Sequence, residues 1–193
     1  MTGIQDIAAQ LLTLCGQPAD RPRPLLLAID GRCAAGKTSL AAALQQAAGC
    51  SVLHMDHFFL RPAQRTAARL AEPGGNIDHE RFLEQALLPL LRGQACRYQP
   101  YDCRKQALAA PVLVEPTPLC VIEGAYACHP ALWEHYDHRV FLSVAPEEQM
   151  ARIRRRNGAA AAERFRTQWI PLEERYFAAF SVVERCALRF ETG

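Results

Sequence analysis

The stretch Gly31-Arg32-Cys33-Ala34-Ala35-Gly36-Lys37-Thr38 fits the pattern G-x-x-x-x-G-K-[ST] at every fixed position. Its flanks decide the fold. Before it runs Pro24-Leu25-Leu26-Leu27-Ala28-Ile29-Asp30, a continuous apolar run that reads as a buried parallel strand. After it runs Ser39-Leu40-Ala41-Ala42-Ala43-Leu44-Gln45-Gln46, a strong helix pattern. Strand, glycine loop and helix in that order make a phosphate-binding loop. The two glycines let the backbone curl so that its N–H groups point at phosphate oxygens. The helix N-terminus adds the positive end of its dipole. Lys37 is expected to reach the β- and γ-phosphates, and the Thr38 hydroxyl to ligate Mg²⁺. Gly31 to Ser39 are therefore the candidate nucleotide contacts.

Working outward, Ile4, Ile7, Ala8, Leu11, Leu12 and Cys15 recur at helical spacing, so residues 3–15 read as an amphipathic helix. Residues 16–24, with three prolines, read as a linker into the first strand. Downstream of the loop helix, residues 50–55 read as a second strand with Asp56 just past its carboxyl end. Ligands of open α/β sheets bind there. Residues 60–77 are irregular and polar. Asp78 reads as the N-cap of a helix over 81–91, with Pro89 ending or kinking it near Leu88. Residues 97–102 and 112–115 are expected to pair as a hairpin. Leu119-Cys120-Val121-Ile122-Glu123-Gly124 is apolar and then acidic, the pattern of a buried strand ending in a carboxylate near a metal. A short helix near 130–136, a strand at 139–144, a helix at 146–156 opened by Pro146, Glu147 and Glu148, a helix at 163–180 interrupted by Pro171, and a last strand at 186–190 complete the chain. Residues 158–162 read as a small, flexible link. Alternating strands and helices give a three-layer α/β/α fold with a mostly parallel sheet, a small β-hairpin and a helical lid. The 193 residues fit one domain.

Composition narrows the class. Half the residues are hydrophobic, which argues against disorder. A formal charge of +2 supplies no long-range attraction for nucleic acid, and no apolar run approaches a membrane span. The expectation is a cytoplasmic protein with a small-molecule partner, no nucleic-acid or membrane partner, and a homo-oligomer left open. None of the eight cysteines forms a C-x-x-C pair, so neither a disulfide framework nor a zinc site is expected. Cys33 differs only by lying in the phosphate loop, where alkylation would block nucleotide binding. His54, His57 and His79 read as packed or surface histidines, because Mg²⁺ prefers oxygen.

The run Ala151-Arg152-Ile153-Arg154-Arg155-Arg156-Asn157 places Arg152, Arg155 and Arg156 on one helical face. Arg164 and Arg166 follow the alanines. A charge run is usually a solvated face. Beside a phosphate loop the same arginines suit a lid over 150–167 that closes on transferring oxygens, with Arg152 and Arg155 as its candidate catalytic members.

With these residues in hand, the chain resembles the uridine kinase family of P-loop kinases, in particular its bacterial uridine kinase-like branch, from about Leu25 to Tyr176. The likeness is carried by an ordered set. After the loop come Met55-Asp56-His57-Phe58-Phe59, Glu72-Pro73-Gly74-Gly75-Asn76-Ile77-Asp78-His79, Tyr101-Asp102 with Arg104-Lys105, Ile122-Glu123-Gly124 and Gln168-Trp169-Ile170. The resemblance implies phosphoryl transfer from ATP to a hydroxyl of a small molecule. It implies Asp56 as catalytic base, with Thr38 and Glu123 at the magnesium site. It also implies Phe59, Asp78, Tyr101, Arg104 and Gln168 on the acceptor side, Asp78 holding sugar hydroxyls. The chain departs from the family at Phe59, where a tyrosine is usual, at Cys103, which stands where a histidine is usual, and at His57, where a second acid is common. Uridine or cytidine is the first-choice acceptor; pantothenate, a sugar or a sugar phosphate is the alternative within the fold. A nucleotide-binding regulatory switch is the alternative of a different class, although no N-K-x-D segment specifies guanine.

Overall fold

Alternate residues of β1 (Leu25–Gly31) face opposite cores. The computed structural model describes residues 2–16 and 21–193. Leu25, Leu27 and Ile29 pack with α1 (Ile4–Cys15) and α2 (Lys37–Ala48), whereas Leu26 and Ala28 join the cluster that holds Phe58, Phe82 and Tyr176. A strand buried on both faces must be apolar throughout, which is why this run shows no alternation. Residues 17–20 of the expected linker lie outside the described residues.

Five strands form one sheet in the order β2 (Ser51–His54), β7 (Leu119–Glu123), β1, β8 (His138–Ser143) and β9 (Leu188–Glu191). Every neighbouring pair is parallel. With α1 and α2 on one face and the helices that carry Phe82, Leu132 and Tyr176 on the other, the molecule is a three-layer α/β/α fold. The carboxyl ends of β1, β2 and β7 lie side by side, and they carry Gly31, His54 and Glu123.

The expected hairpin is built as two short antiparallel ladders. β3 (Cys96–Tyr98) pairs with β6 (Val112–Val114), and β4 (Tyr101–Asp102) pairs with β5 (Ala107–Leu108). Pro100, which has no N–H to give a ladder, separates β3 from β4. Residues 60–77, expected to be irregular, hold a 3₁₀ turn at Pro62–Gln64 and a short helix, α3 (Ala67–Ala71).

The helices depart from the sequence reading at both internal prolines. Pro89 does not end its helix near Leu88. α4 (His79–Phe82), a π turn (Leu83–Leu87) and α5 (Leu88–Leu91) run on without a break. Pro171 does not interrupt its helix either. After α6 (Pro130–Trp133) and α7 (Pro146–Asn157), the chain turns at Gly158 into α8 (Ala159–Arg164), a π turn (Phe165–Trp169) and α9 (Ile170–Phe180), with α10 (Val182–Arg185) last. Each proline stands two residues beyond a five-residue π turn. Widening the turn accommodates a ring that would clash with the carbonyl of the preceding turn, and an N–H that is missing. Residues 159–162 are helical rather than a flexible link, because alanine is the strongest helix former.

Candidate active site

The loop is shaped from beneath and from both sides. Gly31 has φ 139°, and a Cβ there would lie 2.1 Å from the Leu142 carbonyl oxygen, so only glycine lets the loop rest on β8. Under it, the fully buried Asp30 accepts hydrogen bonds from the Gly31 N–H (2.7 Å), the Cys128 N–H (2.9 Å) and the Tyr176 hydroxyl (2.9 Å). Burial pushes the Asp30 carboxyl above the usual range, against these donors and Lys37. Lys37 Nζ donates to the Gly31 (2.6 Å) and Arg32 (3.0 Å) carbonyls and is 9% exposed. Thr192 Oγ1 donates to the Ala35 carbonyl (2.9 Å), and Arg152 to the Ala34 carbonyl (3.2 Å). Ala34 itself has φ 60°, a left-handed backbone that costs energy for a residue with a Cβ.

Beside the loop, Thr38 Oγ1 lies 3.2 and 3.3 Å from the two oxygens of Glu123, which is 5% exposed. The parallel register sets His54 of β2 opposite Glu123 of β7, and His54 Nδ1 meets the carboxylate at 2.5 Å. That hydrogen bond raises the His54 pKa against the opposing effect of burial. The structure therefore brings His54 into the site, where the sequence reading kept it as a packed or surface residue. A hydroxyl and a carboxylate side by side form a hard-oxygen set. Mg²⁺ needs only one or two such protein oxygens, with phosphate and water filling its octahedron, so Thr38 and Glu123 fit it; His54 would orient the carboxylate.

Asp56 stands on a 3₁₀ turn, Met55–Phe58, directly after β2. Gly124 packs against this turn: a Cβ there would lie 2.9 Å from Met55 Cβ and 3.5 Å from Asp56 Oδ1. The Asp56 carboxylate opens into the cavity while protein surrounds it on the other sides. That enclosure raises its pKa, with Glu123 adding to the rise and Lys37 and His54 opposing it.

Lys37, Thr38, Asp56, Glu123 and Gly124 line one cavity of about 1040 Å³, with Asp30 and His54 set behind its wall. Arg152, Arg155 and Arg156 enter it from α7, and Arg164 from α8. Cys33, Ala34, Gly36, Lys37, Thr38 and Ser39 line it on the loop side. Arg32 turns away and forms a bidentate pair with Glu174 (2.7 and 3.1 Å), while Gly31 and Ala35 lie behind the lining. Cys33 is buried, and burial together with the nearby Glu173 pushes its thiol up to about 12.

The acceptor-side residues divide. Phe59 lines the cavity. Asp78 does not; it is buried, caps α4 through the Arg81 N–H (3.2 Å) and accepts from Gln64 Nε2 (2.8 Å). Tyr101 is buried, and its hydroxyl has no partner among the described residues. Arg104 is exposed in the turn between β4 and β5. Gln168 faces a second, smaller cavity of about 480 Å³. Other residues come forward instead, among them Asn76 and Trp169, which the family motifs include without a role, and Cys103, noted as a departure from the family. Arg65, Asn76 and Trp169 line both cavities, and Cys103 and Tyr126 line the larger one. Tyr126 has φ 69°, a second left-handed residue at the site.

No family model matches the chain. Solved structures do. A possible uridine kinase from Bacillus stearothermophilus aligns with a TM-score of 0.72 at 19% identity, covering 97% of this chain and 96% of that one. D-glycerate 3-kinase from Cryptococcus neoformans aligns with a TM-score of 0.67 at 16% identity, covering 98% and 94%. The chain shares the fold of these P-loop kinases over nearly its whole length.

Proposed function

We propose that this chain is an ATP- and Mg²⁺-dependent kinase that phosphorylates a hydroxyl of a small molecule, with a nucleoside, uridine or cytidine, as the first-choice acceptor. One observation carries the reading: the loop with Lys37, the Thr38–Glu123 pair, Asp56 and three arginines of α7 converge on a single cavity. A switch needs the first two alone. The shared fold with kinases supports the same reading.

The loop N–H groups and Lys37 bind the triphosphate. Thr38 and Glu123 would hold Mg²⁺, which when bound would offset the charge of the phosphates. Asp56 orients the acceptor hydroxyl and takes its proton as the oxygen bonds to the γ-phosphorus and the bond to the ADP oxygen breaks. Arg152 and Arg155 stabilise charge on the transferring oxygens, and the helical segment over 150–167 excludes water as a lid. Positioning and electrostatics supply most of the catalysis in this chemistry, so the fixed geometry of the loop is itself the device.

A second reading concerns the acceptor. Arg65 Nε donates to the Leu60 carbonyl (3.0 Å), and no hydrogen bond among the described residues engages its terminal nitrogens. This guanidinium beside Asn76 at the acceptor end favours an anionic acceptor such as pantothenate or a sugar phosphate. A coupled ADP-release screen with ATP and Mg²⁺ across uridine, cytidine, pantothenate, sugars and sugar phosphates tests both. Release that depends on a nucleoside is the expected result. Release only with an anionic acceptor transfers the assignment to the second reading, and release that ignores every acceptor contradicts a small-molecule kinase.

A further inference from the structure

Helix α9 engages the phosphate loop at two neighbouring residues, through the Glu174–Arg32 pair and through the backbone N–H of Cys33. Glu173 Oε2 accepts the Cys33 N–H at 3.0 Å, and from α7 Gln149 Nε2 donates to the Cys33 carbonyl at 3.0 Å. Helices α7 and α9 thus hold the same residue, one through each of the two peptide groups that flank its Cα. Glu173 is 6% exposed and lines the large cavity together with Lys37 and Gly36. Its carboxylate takes up a loop N–H on the wall where such groups meet phosphate oxygens, and two anions cannot share that position without repulsion.

We propose that Glu173 is a positioning residue of the donor site, which holds the Cys33 N–H and becomes protonated from solvent as a nucleoside triphosphate binds. This rests on the reading of the cavity as a phosphoryl-donor site. The proton passes from water or buffer to a Glu173 oxygen. The neutral carboxyl still accepts the Cys33 N–H through its other oxygen and gains an O–H that can donate to a phosphate oxygen. The groups facing Glu173 are Lys37 from α2, Asp30 at the end of β1, the Cys33 thiol from the loop and the Tyr126 hydroxyl beyond β7. Burial dominates over Lys37 and the loop N–H and pushes the Glu173 carboxyl up to about 7, so it is poised to change state near neutrality. A triphosphate raises it further. Binding at pH 7 then takes up about half a proton more than it would without Glu173, and above pH 7 affinity falls by up to about tenfold per pH unit.

Calorimetric titration of the whole chain with ATP and Mg²⁺, in buffers of different ionisation enthalpy, measures this uptake. Glu173→Gln keeps an oxygen for the Cys33 N–H and removes the titration; the nucleotide's own protonation is common to both proteins and cancels in the difference. We expect uptake lower by about half a proton at pH 7 in the variant. We also expect the variant to bind about tenfold tighter than the native chain at pH 8, with the two closely matched at pH 6. Equal uptake and equal pH profiles overturn the proposal and leave the donor site standing, whereas absence of ATP binding to both folded proteins removes the donor site as well. If the variant does not fold, carbon-13 titration of the glutamate carboxyls in the native chain serves instead. A glutamate titrating near 7 that moves upward with ATP supports the proposal, and glutamates that all titrate in the ordinary range contradict it.

Discussion

Cys33 and Cys103 border the same cavity and differ in what governs thiol chemistry. Cys33 is buried and hydrogen-bonded by Gln149 at 3.3 Å, with its thiol pushed up to about 12. Cys103 is exposed, alone among the cysteines of the described residues. The thiolate is the nucleophile, so a buried thiol held neutral is inert. Sequence singles out Cys33 as the cysteine whose alkylation would block nucleotide binding; the structure buries that thiol and leaves Cys103, near Asp56 and Arg65, as the accessible one, although partial burial raises its thiol too. A native-state thiol titration should show one fast group, lost in Cys103→Ser, with the rest reacting only on unfolding. A fast group that persists in Cys103→Ser contradicts this. Lys37, Thr38, Asp56 and Glu123 are legible in the sequence because a loop pattern or a strand end fixes each locally. Glu173 is not: it meets Cys33 across a separation of 140 residues, and only the docking of α9 creates the contact. His54 depends on the register of β2 against β7, which its own residues do not encode.

Among the elements, the strands are the readable ones. The apolar runs at 25–31 and 119–123 are buried on both faces and end where the site begins. The helices are legible in position but not in continuity, because a proline usually stops a helix and here a π turn precedes each one. The alanine run is the clearest case. Small residues read as a link, yet the Ala162 N–H bonds the Gly158 carbonyl at 3.0 Å and Ala162 packs beside Cys33 and Ile153. A helix that carries Arg164 to the cavity is stiffer than a loop would be, so the proposed lid, if it closes, is expected to move as a body about Gly158. Ala160 is exposed within α8. Ala160→Gly should weaken this helix by about 1 kcal/mol and speed amide hydrogen exchange over residues 161–164 severalfold. Unchanged exchange there would mean that the segment is not held as a helix in solution.

Across the whole molecule, the parallel sheet gathers the chemistry at one edge. Three neighbouring strands deliver the loop, the Asp56 turn and Glu123 to their carboxyl ends, and the two hydrophobic clusters on either face hold those ends in register. The last helices then return to this edge, so that residues from α7 to α9 close over a loop formed near the start of the chain. The fold was readable from the alternation of elements. The acceptor end was less so, because Arg65, Asn76 and Trp169 come from an irregular segment and a π turn that carry no periodic signal. The central claim is transfer to an acceptor hydroxyl under the control of Asp56. Its most direct test compares the native chain with Asp56→Asn, measuring ATP binding by calorimetry and phosphoryl transfer to the best acceptor of the screen. The account predicts that ATP binding is retained and that transfer falls by at least about 10²-fold, the scale of a lost general base. Transfer at the native rate in the variant would contradict it.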